Sequence, residues 1–89
     1  MKAILTVLGN DRVGIIASIS NKLAQFNANV EDISQTIILG KFTMVMAVDV
    51  SGLNISFVEF AKQMADLGKE MKLSIRVQKE EIFDAMYTV

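Results

Sequence analysis

The residues with the most chemical potential stand together near the start of the chain, as Gly9-Asn10-Asp11-Arg12-Val13-Gly14. An amide, a carboxylate and a guanidinium occupy consecutive positions between two glycines. A strand-like segment precedes them, and a helix-like pattern follows from near Ile15. A strand that turns through Gly and Asn/Asp straight into a helix leaves the first helical N–H groups facing the turn. Those unpaired donors and the helix dipole both favour an anion or a carboxylate. The plain alternative is that Asn10 or Asp11 caps the helix while Arg12 is solvated or locally paired. In a receptor for an amino acid, the backbone N–H groups would take the carboxylate and Asn10 or Asp11 the ammonium. Gly14 suits either close packing or the near approach of a ligand to the backbone.

Other chemistries are short of residues. The sequence contains neither His nor Cys. The commonest general base, the commonest transition-metal ligand, a thiolate nucleophile and disulfides are all missing. We therefore expect no catalytic residues, no metal site and no cofactor. Glu31 and Asp32 are strand neighbours, expected on opposite faces and hence unable to act as a carboxylate dyad. Met44, Met46, Met64, Met71 and Met86 read as core and interface filler. Tyr87 and the five Phe form no stacking platform for single-stranded RNA.

Composition bounds the rest. Eighty-nine residues suffice for one core. The apolar fraction of 52% is high for so short a chain. That excess points to surface buried in an oligomer, because no apolar run approaches the roughly 18 residues of a membrane span. Net charge is −1 with scattered basic residues, which argues against nucleic-acid binding. No basic-plus-apolar leader with a small-residue cleavage site is present, so a cytoplasmic location is expected.

The elements that position the turn follow from periodicity. Residues 1–8 alternate as a strand. Ile16, Ile19, Leu23 and Phe26 recur at helical spacing, giving a helix from about Val13 to Phe26 that ends at Asn27 or Asn29. Residues 30–39 form a strand with one wet end, Gly40-Lys41 a hairpin, and residues 42–50 the most apolar strand. Ser56 and Glu59 match a capping box before a second helix, whose stripe is Phe57, Phe60, Ala61, Met64, Leu67 and Met71. Gly68, late in that pattern, costs about 1 kcal/mol relative to Ala. Leu73, Ile75 and Val77 alternate inward in a last strand, and Ile82, Phe83, Met86 and Tyr87 share one side of a helical extension or tail.

The order strand, helix, strand, strand, helix, strand defines an α+β, ferredoxin-like βαββαβ sandwich. Its antiparallel sheet has four strands, with both helices on one face. The open face should carry Lys2, Ile4, Thr6, Leu8, Val45, Ala47, Ser74 and Arg76. It is too apolar for a face left to solvent, so the tail or a second copy is expected to cover it. Edge strands offer a second route to pairing, and a homodimer is expected.

The segment Thr6-Val7-Leu8-Gly9-Asn10-Asp11-Arg12-Val13-Gly14-Ile15-Ile16-Ala17, with Ile19, Leu23 and Asn29-Val30, resembles the opening of an ACT domain. That family carries a G-x-D-R-[PV]-G-[IL]-[LIV]-A segment, a helix, then N-[IV] at the next strand. The resemblance covers residues 1–78, leaving 79–89 as an extension of a single domain. It is strongest to small stand-alone ACT proteins of bacteria and archaea, then to glycine-cleavage-repressor-like and formyltetrahydrofolate-deformylase ACT segments. It implies a regulatory, non-enzymatic module binding a small metabolite, often an amino acid, at an interface between paired domains. Carried over, Asn10, Asp11, Arg12, Val13, Gly14 and Ile15 would form one wall of the pocket. Asn29 and Val30 would form the other, across the dimer interface in some members. Two departures are visible: Val13 replaces a frequent Pro, and Asn27-Ala28 replaces a Gly before Asn29.

Three functions compete: a dimeric sensor acting on an unidentified protein partner, an assembly module with a vestigial pocket, and an acylphosphatase-type enzyme using Arg12 and Asn29. The phosphate loop of the last is unmatched, so that reading is a fold-level analogy only. No membrane or nucleic-acid partner is expected.

Overall fold

The computed structural model describes residues 1–10 and 13–82. Asp11, Arg12 and the tail positions Phe83, Met86 and Tyr87 lie outside the described residues.

Six elements follow in the order expected: β1 (Lys2–Asn10), α1 (Ile15–Gln25), β2 (Asn29–Ile38), β3 (Lys41–Asp49), α2 (Phe57–Met71) and β4 (Leu73–Lys79). The sheet runs β2-β3-β1-β4, with every neighbouring pair antiparallel. Alternation sets its inner face. Ala3, Leu5 and Val7 of β1 and Met44, Met46 and Val48 of β3 are buried, while the residues between them stay half-exposed or exposed.

The helices close over that inner face. Ile15, Ile19 and Leu23, spaced by four, form the buried stripe of α1, and Phe60 and Met64 lead that of α2. The Phe26 and Phe60 rings meet edge to face at 6.2 Å and join the two helices. Burying the Phe60 side chain completely contributes about 1.5–3 kcal/mol by transfer alone.

Local chemistry fixes the ends of the elements. The Ser56 hydroxyl accepts the Glu59 N–H at 3.1 Å and starts α2. The Glu59 carboxylate accepts instead from Gln63 Nε2, so the reciprocal half of the expected capping box is unmade. Asn27, not Asn29, takes the left-handed conformation after α1, at φ 61°. Its side-chain amide donates to the Gly52 carbonyl, and the Asn54 amide donates to the Gln25 carbonyl. Asn27 thus supplies the sharp exit that a glycine gives elsewhere. Leu39 and Gly40 both have positive φ, and their two-residue turn joins β2 to β3. Gly68 lies against β4: a Cβ there would come within 2.8 Å of the Leu73 carbonyl oxygen.

Three further expectations change. The α1 helix starts at Ile15 rather than Val13, and Ile15 rather than Ile16 joins the core, leaving Ile16 38% exposed. Gly14 caps α1, with no side-chain hydrogen bond from Asn10 or any other described residue. Glu31 and Asp32 do not point to opposite faces. A bulge between Val30 and Asp32 breaks the alternation. Glu31 then forms an ion pair with Lys2, and Asp32 lines a hollow with Ile4 and Ala47, all on the open face.

Candidate functional site

The turn after β1 opens at one end of the sheet. Asn10 closes β1, and its Oδ1 accepts from Lys41 Nζ at 2.8 Å, so its amide is tied across the β1–β3 pair. Lys72 shares a shallow hollow with Asn10 and Lys41, making this end cationic. Val13 is fully exposed. Gly14 stands at φ 91° with open space where a Cβ would be, so its conformation, not close packing, calls for glycine. Among the described residues, the helix that follows has neither a side-chain cap nor an acidic residue in its first turn. No described side chain takes its leading N–H groups, which by their direction and the helix dipole suit an anion.

Beside this mouth lies a recess of about 380 Å³ lined by Ile16, Gln35, Thr36, Ile37 and Phe42. It exists because the helices leave β2 uncovered, and all ten residues of that strand are exposed. The register sets Val30, Ile33, Gln35 and Ile37 opposite the buried Val48, Met46, Met44 and Phe42, hence on the helix side of the sheet. The recess residues were not in the expected site. Ile16 fits a helical core stripe as well as Ile15 does, and the apolar run Ile37-Ile38-Leu39 at a wet edge was the available signal.

Among the expected site residues that are described, Asn10 and Asn29 do not converge within one chain. Asn10 pairs with Lys41 at one end of β3, whereas Asn29 pairs with Asp49 at the other. Eight residues of strand separate those ends, roughly 26 Å. Ile15 turns its side chain into the core, 2% exposed, and only its backbone can face the mouth. Asn29 and Val30 are exposed on the edge strand at the far end.

That far end has its own polar network. The Ser51 N–H donates to Asp49 at 2.9 Å and holds its carboxyl below the ordinary range, assisted by the N-terminal ammonium. A hydrogen bond and ion pair with Glu31 raise the Lys2 ammonium above its ordinary value. Among the described residues no group of three or more Asp, Glu, His or Cys could hold a metal, and no helix is long and apolar enough to cross a membrane.

Comparison with known proteins matches the ACT domain family model to residues 2–78. This chain belongs to the ACT domain family.

Among its relatives, a UPF0237 protein of Listeria monocytogenes is 48% identical over 87 residues, 98% of each chain. An ACT domain protein from Streptococcus pneumoniae superposes with a TM-score of 0.83 at 39% identity, covering 98% of each chain. A formyltetrahydrofolate deformylase from Pseudomonas syringae has a TM-score of 0.78 at 26% identity, over 88% of this ACT domain and 27% of the deformylase. ACT domains are regulatory modules that bind small ligands and commonly pair. In this ACT domain the mouth of α1, which no described side chain caps, and the uncovered edge of β2 are the features open to such roles.

Proposed function

We propose that this ACT domain is a regulatory sensor acting as a homodimer, with an amino acid or related metabolite bound where two chains meet. The observation that carries the reading is the separation of Asn29 from the Gly14 mouth along β2. Antiparallel pairing of two β2 edges about a two-fold axis near the strand's middle brings Asn29 and Val30 of the second chain to the Ile38 end of the first. That is the end at which the mouth and the apolar recess open. The unpaired backbone of β2 and its exposed Ile33 and Ile37 support this pairing. The ligand's carboxylate then meets the first N–H groups of α1, and Ile16, Ile37 and Phe42 receive its apolar part. Asp11 and Arg12 belong to the same turn by sequence and complete the candidate set with Asn10, Val13, Gly14, Ile15, Asn29 and Val30.

A thermal-shift panel of single amino acids at millimolar concentration tests the reading. A ligand that binds only the folded dimer raises its melting temperature, and Asn29→Ala should abolish that rise while leaving the unliganded melting temperature in place. A panel without any shift, on protein that is still dimeric, favours the assembly module, for which the apolar edge suffices. An acylphosphatase-type enzyme lacks support, because Asn29 stands at the opposite end of the sheet from the turn.

A further inference from the structure

The open face of the sheet holds a cationic strip along β1 and β4, on the side away from the helices. Leu8 lies on that face, 45% exposed, and two adjoining hollows share it. One, of about 250 Å³, is lined by Thr6, Leu8, Ser74, Arg76 and Gln78. The other, of about 410 Å³, is lined by Leu8, Gly9, Asn10, Lys41 and Lys72. Strand alternation explains the set. Val7, Phe42, Leu73 and Ile75 are buried on the helix side, so Thr6, Leu8, Lys41, Ser74 and Arg76 face the other way. Neither lining contains an acidic residue. Arg76 and Lys72 make no hydrogen bond or ion pair among the described residues. Lys41 donates to the Asn10 amide, a neutral partner that leaves its charge uncompensated. On the same face Glu31 is paired with Lys2, and Asp32 stands three strands from Arg76, roughly 14 Å away.

We propose that this strip binds the phosphate chain of a polyphosphate-bearing metabolite. Thr6 and Arg76 are cross-strand partners, as are Asn10 and Lys41, and four residues of β1 separate the two rows, roughly 13 Å. Strands β3 and β4 flank β1, so Lys41 and Lys72 reach the second hollow from its two sides. A single carboxylate engages only one end of a strip that long, whereas a chain of phosphates carries charge along its length. The flexible Lys and Arg stems let all three charges lean inward over Leu8. The guanidinium fork of Arg76 suits two oxygens of one phosphate, with the Thr6 and Ser74 hydroxyls as further donors. The lysines serve the remaining phosphates as point charges. No aromatic side chain lines either hollow, so no base is stacked and the phosphates themselves carry recognition. The Ile16 recess lies on the other side of the sheet, and the strip does not rest on the sensor reading.

The test is isothermal titration of the full chain with inorganic tripolyphosphate in low-salt buffer. One tripolyphosphate should bind per chain, with a dissociation constant that rises as salt is added. Arg76→Gln and Lys72→Gln should each weaken binding roughly ten-fold. Lys62→Gln removes the same charge from the exposed side of α2 and should change the constant by less than about two-fold. A nucleoside triphosphate should match tripolyphosphate, because the two share the phosphate chain, and a hexaglutamate peptide should bind more weakly than either. No heat at millimolar tripolyphosphate would overturn the inference, as would an equal loss in Lys62→Gln and Arg76→Gln. Hexaglutamate binding as tightly as tripolyphosphate, or binding confined to the nucleotide, would also contradict it. Any amino-acid-induced thermal shift should survive Arg76→Gln; its loss would show one site rather than two and sink the proposal.

Discussion

Asn10 and Asn29, expected to face one ligand, occupy opposite ends of the sheet: the first pairs with Lys41 and the second with Asp49 on the same strand. No side-chain motion spans that length. A pocket using both needs two chains, and β2, exposed along its whole length, is the strand that can supply the second.

Ile33 lies near the middle of that edge, 43% exposed. In a two-fold interface Ile33→Lys withdraws two isoleucines, at a cost of about 3 kcal/mol or more. The dissociation constant of the edge dimer should rise roughly a hundred-fold. Sedimentation at micromolar concentration, with circular dichroism showing an intact fold, measures it.

Gly14 has φ 91° and no neighbour near the missing Cβ. The cost of Gly14→Ala is therefore conformational, about 1–2 kcal/mol. We expect a melting temperature about 4–15 °C lower, with any amino-acid-induced shift weakened because the mouth is reshaped. A variant of unchanged stability would show that the left-handed cap is dispensable.

Gly68 gives a sign opposite to helix propensity. Alanine in a helix interior ordinarily gains about 1 kcal/mol over glycine. Here the added methyl meets the Leu73 carbonyl at 2.8 Å and Ile75 at 3.1 Å, and backbone must move. Gly68→Ala should destabilise by about 1–3 kcal/mol in chemical denaturation.

Asp49 ties stability to acid. Its carboxyl is held below its ordinary 3.8, chiefly by the Ser51 backbone N–H, so its contribution is present above that pH and lost as pH falls through the lower folded value. The melting-temperature gap between wild type and Asp49→Asn should close over that fall. Lys2, raised by Glu31, has the reverse sign: its contribution holds below 10.5 and fades only above it. A gap constant from neutral pH to the acid limit would contradict the Asp49 assignment.

Periodicity made the six elements and the sheet's two faces readable, because strand alternation and the α2 stripe have one solution each. It was less decisive at α1, where Ile15 and Ile16 both fit a helical stripe and the left-handed Gly14 delays the helix past Val13. The bulge at Glu31 has no sequence signature, and it moved an acidic pair onto one face. The family resemblance named Asn29 and Val30 but could not place them. Their distance from Asn10 follows from strand register, which depends on long-range pairing, and the recess at Ile16 and Ile37 depends on how far α1 reaches across β2.

Cross-linking measures the central geometry without a known ligand, since the chain has no cysteine of its own. Asn29→Cys and Ile38→Cys chains are mixed, allowed to exchange, and treated with a short bismaleimide. Antiparallel β2 pairing predicts a covalent dimer from the mixture, and none from either variant alone, whose two cysteines would lie roughly 30 Å apart. Linkage of Asn29→Cys to itself, or no linkage in a mixture that sediments as a dimer, would contradict the shared pocket.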